Sequence, residues 1–113
     1  MIAVIFEVEP KAGKLEPYLD IAADLKPELE TIDGFISVER FQSLTVEGKY
    51  LSVSFWRDEA ALAEWRNRAR HRTAQTAGRT EMFADYRLRV ATVVRDYGPE
   101  RREEAPGDAV EIG

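Results

Sequence analysis

The stretch that decides the fold is YLSVSFWRDEAALAEWRNRARHRTAQTAGR, residues 50–79. Its first seven residues form two alternating sets, the period-two pattern of a β-strand with two different faces. Asp58 ends this strand, because its carboxylate can accept hydrogen bonds from backbone N–H groups one turn later and suits the positive end of a helix dipole. A helix therefore follows, with Leu62, Trp65 and Ala69 as its narrow apolar stripe.

The second half of this stretch contains Trp65 and His71. Six residues along one straight helix are about 120° apart around its axis, so the two side chains share a cavity only if the helix breaks between them. Residues 67–70 predict such a break, because Asn67 can cap a second helix. Beyond the break, small residues recur at helical spacing on the side of His71, which leaves room for a ligand.

The rest of the chain adds three strands and one helix. Pro27 is expected to kink that helix or to begin a separate short one, because proline lacks a backbone donor and clashes with the preceding turn. Gly48 marks a hairpin loop. The predicted elements are, in order, a strand at 2–8, a helix at 15–29, strands at 35–43 and 50–56, a helical region from 58, and a strand at 84–96.

This order, β-α-β-β-α-β, predicts an α+β fold of the ferredoxin-like class with a four-stranded antiparallel sheet. Right-handed crossovers place both helices on one face of the sheet and leave the other bare. A bare face that is partly aromatic is usually an interface, so we expect a homodimer in which two sheets pack face to face. The aromatic residues expected on that face are Phe35, Phe41, Tyr50 and Trp56.

The composition predicts one folded domain followed by a short tail. Of the 113 residues, 44% are hydrophobic, which excludes a disordered chain. No membrane-spanning run and no signal-peptide pattern occurs, so we expect a cytoplasmic protein. Residues 1–98 form the domain, and the charged tail, residues 99–113, is expected to dock on the body or on a partner subunit, because Val110 and Ile112 alternate.

Charge and metal-ligand content narrow the function. A net charge of −5 argues against a nucleic-acid partner. Residues 57–95 nevertheless hold nine arginines and five acidic residues, so this region either attracts a small anion or is an ordinary solvated helix face. With no cysteine and one histidine, thiolate and multi-histidine metal sites are excluded, and we expect no metal. Carboxylate metal sites stay formally open.

One pattern resembles a known family. FWRDEAALAEWRNRARHRTAQTAGR, preceded by GFISVERFQS and followed by FADYRLRVATVVRDYG, resembles the antibiotic biosynthesis monooxygenase domain over residues 1–98. The resemblance implies a dimeric α+β barrel. It implies one of three functions: monooxygenation of a small aromatic, quinol or polyketide-like substrate with dioxygen and no cofactor, haem binding or degradation, or non-catalytic ligand binding.

Five residues are candidates for the site. His71 can act as a base, a proton donor or a haem ligand, because imidazole titrates near neutrality, but it can equally be a surface or structural histidine. Trp65 is the second catalytic candidate, as a platform for a planar molecule. The candidates for substrate binding are Trp56, Tyr50 and Arg72. Both tryptophans have plain core packing as their alternative, and Arg72 has solvent exposure.

Overall fold

The structure is a computed structural model that describes residues 1–75 and 79–108. Within those ranges, the side chains of residues 70–75, 79 and 80 are not described. The element order confirms the β-α-β-β-α-β prediction. The elements are β1 (Ile2–Pro10), α1 (Leu15–Leu29), β2 (Phe35–Gln42), β3 (Tyr50–Trp56), α2 (Glu59–Gln75), a 3₁₀ turn (Arg79–Met82) and β4 (Phe83–Thr92).

The four strands form one antiparallel sheet in the order β2-β3-β1-β4. The strands β1 and β3 are therefore central, while β2 and β4 are edges. Side chains from both helices pack on the same face of this sheet, around Ile2 and Trp56. This arrangement confirms the predicted ferredoxin-like fold. No helix in residues 1–75 and 79–108 is both long and apolar enough to cross a membrane.

The core lies between that face and the two helices. Trp56 is 1% exposed and contacts the edge of the Phe35 ring, with ring centroids 5.3 Å apart. Leu29 at the end of α1, Ile32 beyond it and Ala61 in α2 complete the buried cluster. Because the largest aromatic side chain is fully buried here, this end of the sheet anchors both helices.

The predicted composition of the bare face is wrong for three of its four aromatic residues. Trp56 and Phe35 lie in the core, and Tyr50 pairs with Val8, which is 1% exposed and belongs to the helix-covered side of β1. Phe41, opposite Leu51, lies on the uncovered face and is 45% exposed. A register shift after Phe35 explains part of the error, because one extra residue in β2 reverses which side chains point to the helices.

The predicted break in the second helix is also wrong. The helix α2 runs without interruption through residues 67–70. Arg68 donates to the Glu64 carboxylate one turn earlier at 2.8 Å, and such pairs support a helix across this point. In α1, Pro27 lies inside the helix near its end, so no separate helix begins there.

The last strand ends earlier than predicted, at Thr92 rather than residue 96. Its neighbour is β1, whose first residue Ile2 pairs with Thr92, and the Val93 N–H donates to the Met1 carbonyl at 3.0 Å. Beyond that point β1 offers no further partner. Residues 93–108 contain no helix or strand, and residues 109–113 lie outside the described residues. Docking of the tail therefore stays a prediction.

The start of α2 is held by its predicted cap and by a glycine. Asp58 Oδ1 accepts a hydrogen bond from the Ala61 N–H at 2.9 Å, which confirms the cap and lowers the pKa of Asp58, with the Arg57 guanidinium as the second cause. Gly34 has a φ of +94°, and its carbonyl accepts from the Arg57 N–H at 2.7 Å. A Cβ at this position would lie 2.8 Å from the Ala61 Cβ.

Candidate functional site

An apolar cavity, called the main cavity below, lies between α1 and the covered face of the sheet, and its volume is about 230 Å³. Its floor is the alternate set of strand residues that faces the helices, and its roof is one side of α1 together with Trp65 of α2. The lining residues are Val4, Phe6, Tyr18, Ile21, Ala22, Leu25, Lys26, Leu29, Val38, Arg40, Ser52, Ser54, Trp56, Trp65, Met82 and Phe83. Most of them are apolar, so the cavity suits a molecule with a large hydrocarbon part.

A second cavity of about 240 Å³ lies on the α2 side. It extends towards β4, where Leu88 is 54% and Val90 48% exposed. The two cavities share Val4, Ser54 and Trp56 in the sheet, and from the helices they share Trp65. Trp65 therefore borders both apolar spaces.

Ser54 provides a buried polar group on the floor of both cavities. It is 9% exposed, and its hydroxyl oxygen accepts a hydrogen bond from Trp56 Nε1 at 2.9 Å. Among the backbone and side-chain groups that the structure describes, no acceptor is found for the Ser54 O–H itself. Because a buried donor without a partner is costly, a ligand oxygen in the cavity would be a favourable acceptor.

The aromatic side chains at the other end of the cavity contact one another. Phe83 packs edge-on against Tyr18, with centroids 5.5 Å apart, and against Phe6 at 5.8 Å. The Arg40 guanidinium lies 5.9 Å from the centre of the Tyr18 ring. This end of the cavity thus combines an aromatic wall with a positive charge.

The structure brings together two of the five predicted site residues. Trp65 and Trp56 line both cavities. Tyr50 lies at the opposite end of β3 from Trp56, about 20 Å away at the usual strand rise, and lines a separate pocket. The side chains of His71 and Arg72 lie outside the described residues. Since α2 is unbroken, the premise under which Trp65 and His71 would share a cavity is absent.

Sequence reasoning missed Tyr18, Arg40 and Ser54 as cavity residues. For Arg40 the signal was present, because it continues the alternate set that contains the apolar Val38. A charged residue at such a position would face the helices and is a candidate for ligand binding. Ser54 gave no separate signal, since serine is common on either face of a strand.

Charged groups on the uncovered face form a second cluster around Glu7. Its carboxylate accepts from Arg89 at 3.1 Å and lies 3.7 Å from Lys49 Nζ. The hydrogen bond from Arg89 is the main cause that lowers the pKa of Glu7. No group of three or more potential metal ligands occurs in the described part of the chain. The cluster is therefore an ion-pair network on the sheet surface.

Comparisons with known proteins show what the chain is similar to. A family model described as antibiotic biosynthesis monooxygenase matches residues 1–77. A protein named jasmonate monooxygenase ABM, from Pyricularia oryzae, is 50% identical over 93 residues, which are 82% of this chain and 43% of that protein. This chain thus spans less than half the length of that relative.

Two solved structures share the fold. SnoaB, a cofactor-independent oxygenase from Streptomyces nogalater, superimposes with a TM-score of 0.70 at 15% identity, over 88% of this chain and 97% of the other. A variant of MhuD with two manganese protoporphyrin IX molecules bound per active site gives 0.64 at 24% identity, over 87% and 99%. At these identities the likeness concerns the fold.

Proposed function

We propose that this chain, which belongs to the antibiotic biosynthesis monooxygenase family, is a monooxygenase domain that holds a small, mostly apolar substrate between α1 and the sheet. The observation that carries the proposal is the cavity itself, which is apolar over most of its wall and contains the buried Ser54 hydroxyl, for which the described groups provide no acceptor. The relative named as a jasmonate monooxygenase supports the same reaction type.

The size of the cavity limits the substrate. Its volume of about 230 Å³ lies below the range of roughly 300 to 1,000 Å³ that is typical of ligand pockets. Trp56 and Trp65 offer ring faces and edges to a planar molecule. The candidate substrates are therefore small aromatic, quinol or polyketide-like molecules, to which the name of the relative adds jasmonate.

Chemistry without a cofactor places few demands on the protein. A phenol and dioxygen can give a quinone and water, with all electrons supplied by the substrate. The protein excludes bulk water, orients the ring and favours the phenolate. In this proposal the Ser54 O–H donates to a substrate oxygen. His71 holds or removes the hydroxyl proton, a role taken from the sequence alone, which requires its side chain to reach the substrate although α2 does not break after Trp65.

Oxygen uptake tests the proposal. The protein is supplied with quinols or polyketide-like phenols in an oxygen electrode, with no added cofactor. Jasmonic acid is tested separately with an added electron donor, because hydroxylation of a saturated carbon by dioxygen needs two further electrons. We expect uptake with at least one of them, one dioxygen for each substrate lost. In His71→Ala this uptake should fall about 10²- to 10⁴-fold, the usual contribution of general acid–base help, while the melting temperature stays nearly unchanged. No uptake with any substrate would favour a non-catalytic ligand-binding domain, and full activity in His71→Ala would remove His71 from the mechanism.

Haem binding is the second candidate, because the fold resembles the MhuD variant that binds manganese protoporphyrin IX. The present cavity does not fit a porphyrin, since about 230 Å³ is small even for a drug-sized ligand. Titration with haemin decides between the two. A Soret band that develops at one equivalent and is lost in His71→Ala would overturn the cofactor-free proposal.

We also propose that the protein acts as a homodimer through the uncovered sheet face. Side chains on that face include the apolar Ile5, Leu51, Val53 and Phe55 around Phe41, in addition to the ion pairs of Glu7. Apolar surface of this kind is stabilised when a second sheet covers it. Because a dimer buries the same patch on both subunits, a substitution there acts twice.

A further inference from the structure

Arg40 occupies an unusual position for an arginine. It lies on β2 directly opposite Ser52 of β3, two residues after Val38, so it belongs to the set of strand residues that faces the helices and lines the main cavity. The strand β2 is an edge of the sheet, and Arg40 is exposed. Its guanidinium therefore reaches both the cavity and the solvent at its rim.

The described structure gives this guanidinium an aromatic neighbour but no anion. It lies 5.9 Å from the centre of the Tyr18 ring, within the range of a cation–π contact. Within residues 1–75 and 79–108, no carboxylate lies at ion-pair distance from it. Three other arginines form ion pairs with described carboxylates, namely Arg57 with Asp33 and Asp58, Arg68 with Glu64, and Arg89 with Glu7, whereas the exposed Arg66, Arg87 and Arg95 form none with a described residue.

The charged residues described in the cavity wall are both cations. Lys26 of α1 is its second cation, and no aspartate or glutamate is among the lining residues that the structure describes. This is unexpected by composition, because the chain as a whole has a net charge of −5. An apolar cavity with only positive charge in its wall attracts a ligand that carries an anionic group on a hydrocarbon body.

We infer that Arg40 binds the carboxylate of an acidic substrate whose apolar part fills the main cavity. The inference rests on the proposed function and narrows its substrate class to small apolar acids. The planar guanidinium can donate two parallel hydrogen bonds to a carboxylate, with the Tyr18 ring below it holding its orientation. Fixing one end of the substrate in this way decides which of its carbon atoms lies beside Trp65.

Binding of a matched pair of ligands tests this inference without any turnover. The probes are 4-phenylbutyrate and its neutral analogue 4-phenylbutyramide, and calorimetric titration of the purified protein measures both. We expect the wild type to prefer the acid. In Arg40→Gln the affinity for the acid should fall about three- to tenfold, the loss expected for a partly exposed charged hydrogen bond. The affinity for the amide should stay within twofold.

Two controls separate the charge at the cavity from charge in general. Arg95→Gln removes an exposed cation outside the cavity and should leave both affinities unchanged. Raising the salt concentration to 0.5 M should reduce the preference for the acid in the wild type, because screening weakens an exposed ion pair. Equal melting temperatures of wild type and Arg40→Gln establish that the variant is folded.

The outcomes distinguish this inference from the proposed function. Equal binding of acid and amide by the wild type, or an unchanged acid preference in Arg40→Gln, overturns the role of Arg40 even if oxygen uptake is observed. Preference for the acid that depends on Arg40, without oxygen uptake from any acid, supports the carboxylate site and counts against the monooxygenase.

Discussion

Replacing Trp65 with alanine should join two cavities into one. Trp65 is the helix residue that borders both the space under α1 and the space towards β4, whose volumes are about 230 and 240 Å³. Without the indole, one cavity about twice as large should extend from Tyr18 to Leu88. Trp65→Phe is the matched control, because it keeps an aromatic wall at the same point.

The structure sets the size of two effects. A buried tryptophan-to-alanine change costs about 3 to 5 kcal/mol, and Trp65 is only half-buried, so we expect a loss of about 2 kcal/mol and a melting temperature lower by roughly 10 °C. A larger ligand, in contrast, should bind Trp65→Ala more tightly than it binds the wild type. About 60 Å² of additional buried apolar surface corresponds to about 1.5 kcal/mol, or tenfold in affinity.

Two planar phenols of different size measure the second effect by fluorescence titration. We expect 2-naphthol to bind Trp65→Ala no more tightly than the wild type, because the contact with the Trp65 ring is lost, and 1-hydroxypyrene to bind Trp65→Ala about tenfold more tightly than the wild type. Trp65→Phe should behave as the wild type towards both. If 1-hydroxypyrene binds all three proteins equally, Trp65 does not divide the space and the two cavities are already one.

Three further predictions follow from other parts of the fold. Replacing Phe41 with glutamate should weaken dimerisation by several kcal/mol in sedimentation experiments, because a charge would be buried at the sheet interface; an unchanged dimer would place the interface elsewhere. Asp58→Ala should lower the melting temperature by a few degrees at pH 7 through loss of the helix cap. Because the folded-state pKa of Asp58 lies below its ordinary value of 3.8, its contribution is complete above that pH and is lost as the pH falls through the folded pKa, so the difference between wild type and variant should vanish in acid. Deleting residues 99–113 should lower thermal stability if the tail docks on the body or a partner, and an unchanged melting temperature and dimer affinity would show that it does not.

Most helices and strands could be predicted from the sequence because the patterns that specify them are local. Alternating side chains gave the strands, and Asp58 gave the start of α2, where the cap forms as predicted. Errors occurred where long-range context decides. The extra residue after Phe35 reverses the faces of β2, and no local pattern predicts it. The helix continues through Asn67 since the Glu64–Arg68 pair and packing outweigh a modest loss of helix propensity.

The candidate site could be predicted only in part, because long-range packing decides which residues lie together. Trp65 and Trp56 were identified as large aromatic residues, and the fold brings them together. Tyr50 lies apart from them, because two residues that share a strand can lie at its opposite ends, and its role in binding stays a prediction. Arg40 acquires its aromatic neighbour Tyr18 from the first turn of α1, a contact that depends on how the helix packs on the sheet and not on any local pattern.

Gly34, in the loop before β2, affects the shape of the cavity although it does not line the cavity. Any side chain there would meet Ala61 at 2.8 Å and would push the first turn of α2 outwards. Trp65 follows Ala61 by about one helical turn, so its indole would move with it. The absence of a side chain at Gly34 therefore sets how closely the first turn of α2 packs beside the sheet. A substitution at Gly34 should therefore change the size of the ligand that the cavity accepts, although Gly34 does not line the cavity.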